Sequence, residues 1–331
     1  ELDLEGRWEV GWLWGRALLQ LGEELRGREG IGFVEEALER FSELSERFPK
    51  LYLGSLYRGI AWIERGRLAG YREGDFEKAV GVLSDLVVDF PEDYRGFYQL
   101  GRAYFYWAKG LERGQRREGL LQRAVEFFEQ AAQLRPDRGR IYFYLAQSLD
   151  GLAMEREGVE ADRVLRQSIE VWQRAYRAQP DLEGLLTGWG IALYHLSKTS
   201  GTFERVHFLR EAIEKFQKVA SPQEETYFYW GCALYELALS QSGFLVETLL
   251  EQAKGKFLEV ERLSRGRGAY WLARICARQK REEELCRWLD VAREQRRLPP
   301  LEVLQREEAF APYTSRDWWQ VFLANVRVDR I

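Results

Sequence analysis

Apolar side chains recur at helical spacing in a series of stretches along the chain, and prolines at Pro49, Pro91, Pro136, Pro180 and Pro222 close them one after another at intervals of 42 to 45 residues. A sequence that restarts at a fixed interval of this length predicts a helical repeat array, in which each unit packs only on its neighbours. A small residue opens each unit: Gly15, Gly59, Gly101, Ala146, Gly190, Gly231 and Ala273. Large apolar residues flank these positions, and an alanine and a large ring follow on a second helical stretch. The third unit is the clearest, with Phe97, Leu100, Gly101 and Tyr104 followed by Ala124, Phe128, Ala131 and Pro136. The pattern has a steric meaning. A glycine or alanine lets the first helix of a pair approach the second closely, and the large ring of the second helix fills the notch. Proline then ends the second helix and presets the turn into the next unit.

This pattern of large-x-x-Leu-Gly-x-x-Tyr, then Ala, Phe and Pro, resembles the tetratricopeptide family over roughly residues 8 to 295. The expected fold is all-α: a right-handed α-solenoid of about seven helix-turn-helix units near residues 8–50, 51–93, 94–138, 139–182, 183–223, 224–265 and 266–295, forming one continuous body. Residues 296–331, with Trp318, Trp319 and Phe322 at helical spacing, are expected to cap its end. The units exceed the family's usual repeat of about 34 residues. The added residues fall between the paired helices, at 110–118, 155–163, 198–205 and 241–245, and polar glycine-bearing runs such as 114–119 predict loops at the tips of lengthened helices.

Composition narrows the function. At 46% hydrophobic and 31% charged residues the chain can build a core, and a net charge of −4 without a long basic run disfavours nucleic acid and anionic membrane surfaces as partners. No apolar run approaches a membrane span. Three cysteines, Cys232, Cys276 and Cys286, lack metal-type spacing and suggest reduced thiols in a cytoplasmic protein.

The resemblance implies that the first helix of each pair lines a concave surface. Carried over by position, the partner-binding candidates are Trp12, Arg16, Tyr57, Tyr98, Arg102, Tyr106, Arg140, Phe143 and Tyr144, and further along Tyr194, Phe228, Tyr229, Tyr235, Tyr270, Trp271 and Arg274. Runs such as Tyr227-Phe-Tyr-Trp carry more rings than core packing at helical period requires. Aromatic rings offer rigid area and arginine offers a fork for carboxylates, so an extended peptide with apolar and acidic side chains fits. The function expected is a non-catalytic scaffold that binds a partner protein or peptide. The alternatives are a carrier for a small apolar ligand or lipid, and a regulatory segment of a larger signalling enzyme. No cofactor or metal is expected, because His195 and His207 stand in no metal-binding spacing and the glycines at Gly27, Gly30 and Gly32 follow no strand. Cys232, one repeat from His195, is the single thiol and base arrangement to weigh for catalysis, and packing is its simpler role.

Overall fold

The computed structural model describes residues 4–25 and 27–328, and among them the chain forms sixteen α-helices and one 3-10 helix, with no strand. Seven helical hairpins follow one another: α1 (Leu4–Leu25) with α2 (Gly27–Arg47), α3 (Tyr52–Leu68) with α4 (Glu73–Asp89), α5 (Tyr94–Lys109) with α6 (Gln115–Leu134), and α7 (Gly139–Met154) with α8 (Gly158–Ala178). Then come α9 (Leu185–Thr199) with α10 (Thr202–Gln217), α11 (Glu224–Leu239) with α12 (Phe244–Leu263), and α13 (Ala269–Arg278) with α14 (Glu282–Glu294). The hairpins fall into two compact units, Glu1–Leu185 and Leu186–Ile331, divided at the start of α9.

The prolines act as the sequence pattern predicts. Helices α4, α6 and α8 each stop two residues before a proline, and the intervening Phe90, Arg135 and Gln179 leave the helical region with φ between −132° and −155° and ψ between 66° and 86°. The notches are equally direct. A methyl group placed on Gly15, Gly101, Gly190 or Gly231 would meet the ring of Phe41, Phe128, Phe216 or Phe257 at 2.6 to 2.8 Å, so each ring lies against bare backbone. All four rings are fully buried. In the fourth hairpin the small residue is Ala146, and the second helix carries a fully buried tryptophan, Trp172, whose Nε1 donates to Asp150 Oδ2 at 3.0 Å.

The added residues between paired helices lengthen helices far more than they make loops. Only residues 110–114 separate α5 from α6, and residues 115–119, expected in a loop, form the first turns of α6. Polar residues there are simply the solvated start of a long helix. The C-terminal segment comprises α15 (Leu301–Arg306), a 3-10 helix (Glu308–Tyr313) and α16 (Asp317–Val328). Its Leu304, Phe310, Trp319, Phe322 and Val326 share one core cluster with Ala273, Cys276, Leu285 and Leu289, covering the apolar side of the last hairpin.

Candidate protein-binding face

In the first unit, α1 packs beside α3, α3 beside α5, and α5 beside α7, so the first helices of successive hairpins present one continuous face. Trp12, Arg16, Tyr57, Tyr98, Arg102, Tyr106, Arg140, Phe143 and Tyr144 all stand on these helices. Their rings touch in two groups, one on α1 and α3 and the other on α5 and α7. Trp12 meets Tyr57 edge-on at 5.5 Å, and Tyr144 is contacted by Tyr98 at 5.9 Å, by Phe105 at 5.7 Å and by Tyr106 at 6.1 Å. The Tyr106 and Tyr144 hydroxyls are hydrogen-bonded at 3.0 Å, and burial pushes the Tyr98 hydroxyl up to about 12. Trp12, Tyr57, Tyr98, Tyr106 and Tyr144 are half-buried, and Phe105 is buried beneath them.

Several rings also hold the hairpins together. Tyr57 lies against Phe41, Tyr144 stacks on Phe128 at 5.8 Å, and in the second unit Trp271 stacks on Phe257 at 5.4 Å. Each sits two residues before its own notch and closes over the ring that fills the preceding one. The same side chain therefore joins two hairpins and forms part of the face.

The arginines divide into two kinds. Arg102 is spoken for: it pairs with the buried Glu64 at 2.7 Å, donates to Gln99 at 2.9 Å, and lies 5.6 and 5.7 Å from the Tyr106 and Tyr144 ring centres. Glu64 is also paired with Arg67, whose guanidinium lies 4.9 Å over Tyr106. The fork expected on Arg102 for a partner's carboxylate is thus occupied by the chain's own glutamate. Arg16, 5.5 Å over Trp12, and Arg140 are exposed. Glu23 of α1 is held above the ordinary carboxylate range first by burial and then by the like charge of Glu64, while Arg102, Arg67 and Arg140 pull it down. Groups from α1, α3, α5 and α7 thereby share one space. The charges named on this face are four arginines (16, 67, 102, 140) and two glutamates (23, 64), a balance of +2 in a chain of net −4.

In the second unit, Phe228, Tyr229, Tyr270 and Trp271 are half-buried, whereas Tyr194 and Tyr235 are buried, Tyr235 completely. Tyr235 lies under Trp271 at 5.5 Å with Arg274 4.6 Å over its ring, so Tyr194 and Tyr235 support this surface instead of forming it. Helical periodicity places a residue on a face but says nothing of how far the next hairpin overlaps it. Arg274 repeats the arrangement of Arg102. It lies 4.4 Å over Trp271 and is neutralised by Glu307 of the C-terminal segment at 3.0 Å, which also accepts from the Tyr270 hydroxyl at 3.4 Å. Glu236, five residues after its notch as Glu64 is after Gly59, is likewise buried and is paired with Lys198 and Arg205. Sequence reasoning missed these glutamates, although their shared offset from the small residue was the available signal.

Cys232 is 1% exposed, and burial pushes its thiol well above the ordinary range, the reverse of what an activated nucleophile needs. All three cysteines are free thiols. Among the described residues no cluster of three or more His, Cys, Asp or Glu side chains is placed to hold a metal, and no helix is long and apolar enough to cross a membrane.

No family model matches the sequence, and no curated protein matches it. Solved structures do. The nuclear import adaptor Nro1 of S. pombe aligns over 77% of this chain and 94% of its own at 12% identity with a TM-score of 0.51. TTC0263, a thermophilic TPR protein of Thermus thermophilus, aligns over 66% of this chain and 98% of its own at 16% identity and a TM-score of 0.43. YrrB, a TPR protein with an unusual peptide-binding site, aligns over 65% and 91% at 12% identity and a TM-score of 0.43. At these identities the likeness concerns fold alone. With its consecutive helical hairpins, four of them locked by a phenylalanine ring in a glycine notch and the second by Leu83 against Gly59, the chain has a tetratricopeptide-like helical repeat fold.

Proposed function

We propose that the chain is a non-catalytic interaction scaffold, and that the face formed by α1, α3, α5 and α7 binds an extended protein segment carrying aromatic or apolar side chains and carboxylates. The observation that carries this reading is the two groups of half-buried rings, Trp12 with Tyr57 and Tyr98 with Tyr106 and Tyr144, on helices that also carry the exposed Arg16 and Arg140. Rings fixed by their neighbours lose little side-chain entropy on binding, and a face of positive balance on an acidic protein favours an acidic partner. Phe228, Tyr229, Tyr270 and Trp271 form a corresponding surface on the second unit, where Glu307 on Arg274 illustrates the kind of group such a surface takes.

The test is a peptide library displayed against the purified chain, followed by affinity measurement on the selected sequences. Enrichment of acidic peptides with aromatic residues is expected. The Tyr98→Ala/Arg140→Glu variant should lose at least about tenfold in affinity, the scale of a hot-spot loss, with unchanged helical content. Peptides that bind this variant as well as the parent chain would refute the assignment.

A further inference from the structure

Two phenylalanines stand almost wholly in solvent: Phe203 is 92% exposed and Phe244 86%, more than any other large apolar side chain among the described residues. They hold the same place one repeat apart, in the first turn of the second helix of the fifth and sixth hairpins, α10 and α12. Leu245 beside Phe244 and Leu239 at the end of α11 are also exposed, so the tip of the sixth hairpin is apolar on both of its helices. Neither ring takes part in the interlock, which Phe216 and Phe257 supply on the same two helices. Nor is this a place that another hairpin covers. The hairpins stack side against side, α10 on α11 and α12 on α13, whereas the tips lie at the ends of the helix axes, off the direction of stacking. Phe203 and Phe244 therefore mark one edge of the second unit.

The charge of this edge is as distinctive as its rings. Residues 199–203 and 237–246 carry no charged side chain, in a chain of which 31% of residues are charged. The tips at 69–75, 110–118, 155–163 and 279–284 all combine lysine or arginine with glutamate, and the exposed Val159 of the third of these stands among Glu155, Arg156, Glu157 and Glu160. Lys198 and Arg205, the basic residues flanking the first uncharged tip, are both paired with the buried Glu236. Charge returns only further into the helices, at Glu204 and at Glu247, which accepts from Gln279 of the next hairpin at 2.8 Å. The groups left around the rings are hydroxyls and an amide, from Ser200, Thr202, Gln241 and Ser242. A protein partner would have to bring a separate pocket for each ring, because this chain surrounds neither. A lipid interface closes around any protruding apolar group, and an edge without charge matches an electroneutral headgroup layer.

We propose that the tips of the fifth and sixth hairpins dock on a zwitterionic lipid surface, with Phe203, Phe244 and Leu245 entering the boundary between headgroups and acyl chains. The attachment is peripheral, since among the described residues no helix is long and apolar enough to cross a membrane. The experiment is co-sedimentation of the whole chain with sucrose-loaded phosphatidylcholine vesicles over roughly 0.01 to 1 mM lipid, a range that brackets the membrane affinity of a single acyl chain. It is run on the parent chain, on Phe203→Ser, on Phe244→Ser, on the double variant, and on Val88→Ser, which removes an apolar side chain 78% exposed on α4. All these positions are exposed, and circular dichroism with thermal melting verifies that each variant folds. The parent chain should sediment with the vesicles, each single phenylalanine variant should bind several-fold more weakly, and the double variant at least about tenfold more weakly. Val88→Ser should bind as the parent does, and added anionic lipid or raised salt should leave the parent's binding unchanged. A parent chain that stays in the supernatant, leaving the rings to a protein partner, would overturn the proposal. So would binding that survives in the double variant, falls equally with Val88→Ser, or requires anionic lipid.

Discussion

The glycines show how much depends on single positions. Gly101 lies in a helix interior against the Phe128 ring, whereas Gly81, also inside a helix, has no neighbouring atom within 4 Å of the place a methyl would take. The same substitution should therefore act in opposite directions. Gly81→Ala gains helix propensity and should stabilise by up to about 1 kcal/mol. Gly101→Ala makes the same gain but drives Phe128 out of its notch, at an overpacking cost of about 1–3 kcal/mol, and should destabilise on balance. Urea unfolding of both variants provides the comparison. Asp150 offers a second residue-scale test. Its carboxyl, bonded by Ser168 and Trp172, is pushed up to about 7 by burial, against the pull of those two hydrogen bonds. The folded state then holds a proton that the unfolded chain has released, so this group's contribution to stability falls as pH rises from about 4 through 7. Asp150→Asn keeps the shape and removes the proton, and should flatten the fall in unfolding free energy across that window. Of these features the notch glycines were legible in the sequence by their repetition. The pairing of Asp150 with Trp172 was not, because it depends on how two helices of one hairpin align.

At the scale of elements, repeated offsets made the hairpins legible, and the prolines fixed where the second helices end. The tips were not legible, because polar, glycine-containing residues suit a loop and a solvated first turn equally well, and in α6 the helix prevails. The candidate face was legible as a set of helices and only partly as a set of available groups. Tyr235 was selected by position and is fully buried, and the Arg102 fork is taken by Glu64. A single helix wheel cannot reveal either fact, since both arise where one hairpin lies on the next. The Glu64–Arg102 pair joins α3 to α5 in a nearly water-free setting, where removing one partner leaves the other charge uncompensated. Glu64→Ala should therefore destabilise by roughly 3–5 kcal/mol, and adding Arg102→Leu should restore part of the loss. Chemical unfolding of the single and double variants measures the coupling; equal stability of the two would show that the pair is not what joins these helices.

At the scale of the whole molecule, the proposed recognition draws on side chains that also join the hairpins. The rings that close over neighbouring notches also stand on the face of α1, α3, α5 and α7, so the proposed binding surface is built in the act of stacking the hairpins. The two units carry this plan separately, with Glu64 beside Arg102 in one and Glu307 beside Arg274 in the other. The most direct test of the central claim is site-specific photo-crosslinking to a selected acidic, aromatic peptide. A benzophenone side chain replaces Tyr98 in one variant and Val88, 78% exposed on α4, in another. Crosslinking from position 98 and none from position 88 is predicted. Crosslinking from position 88 with none from position 98 would contradict the account.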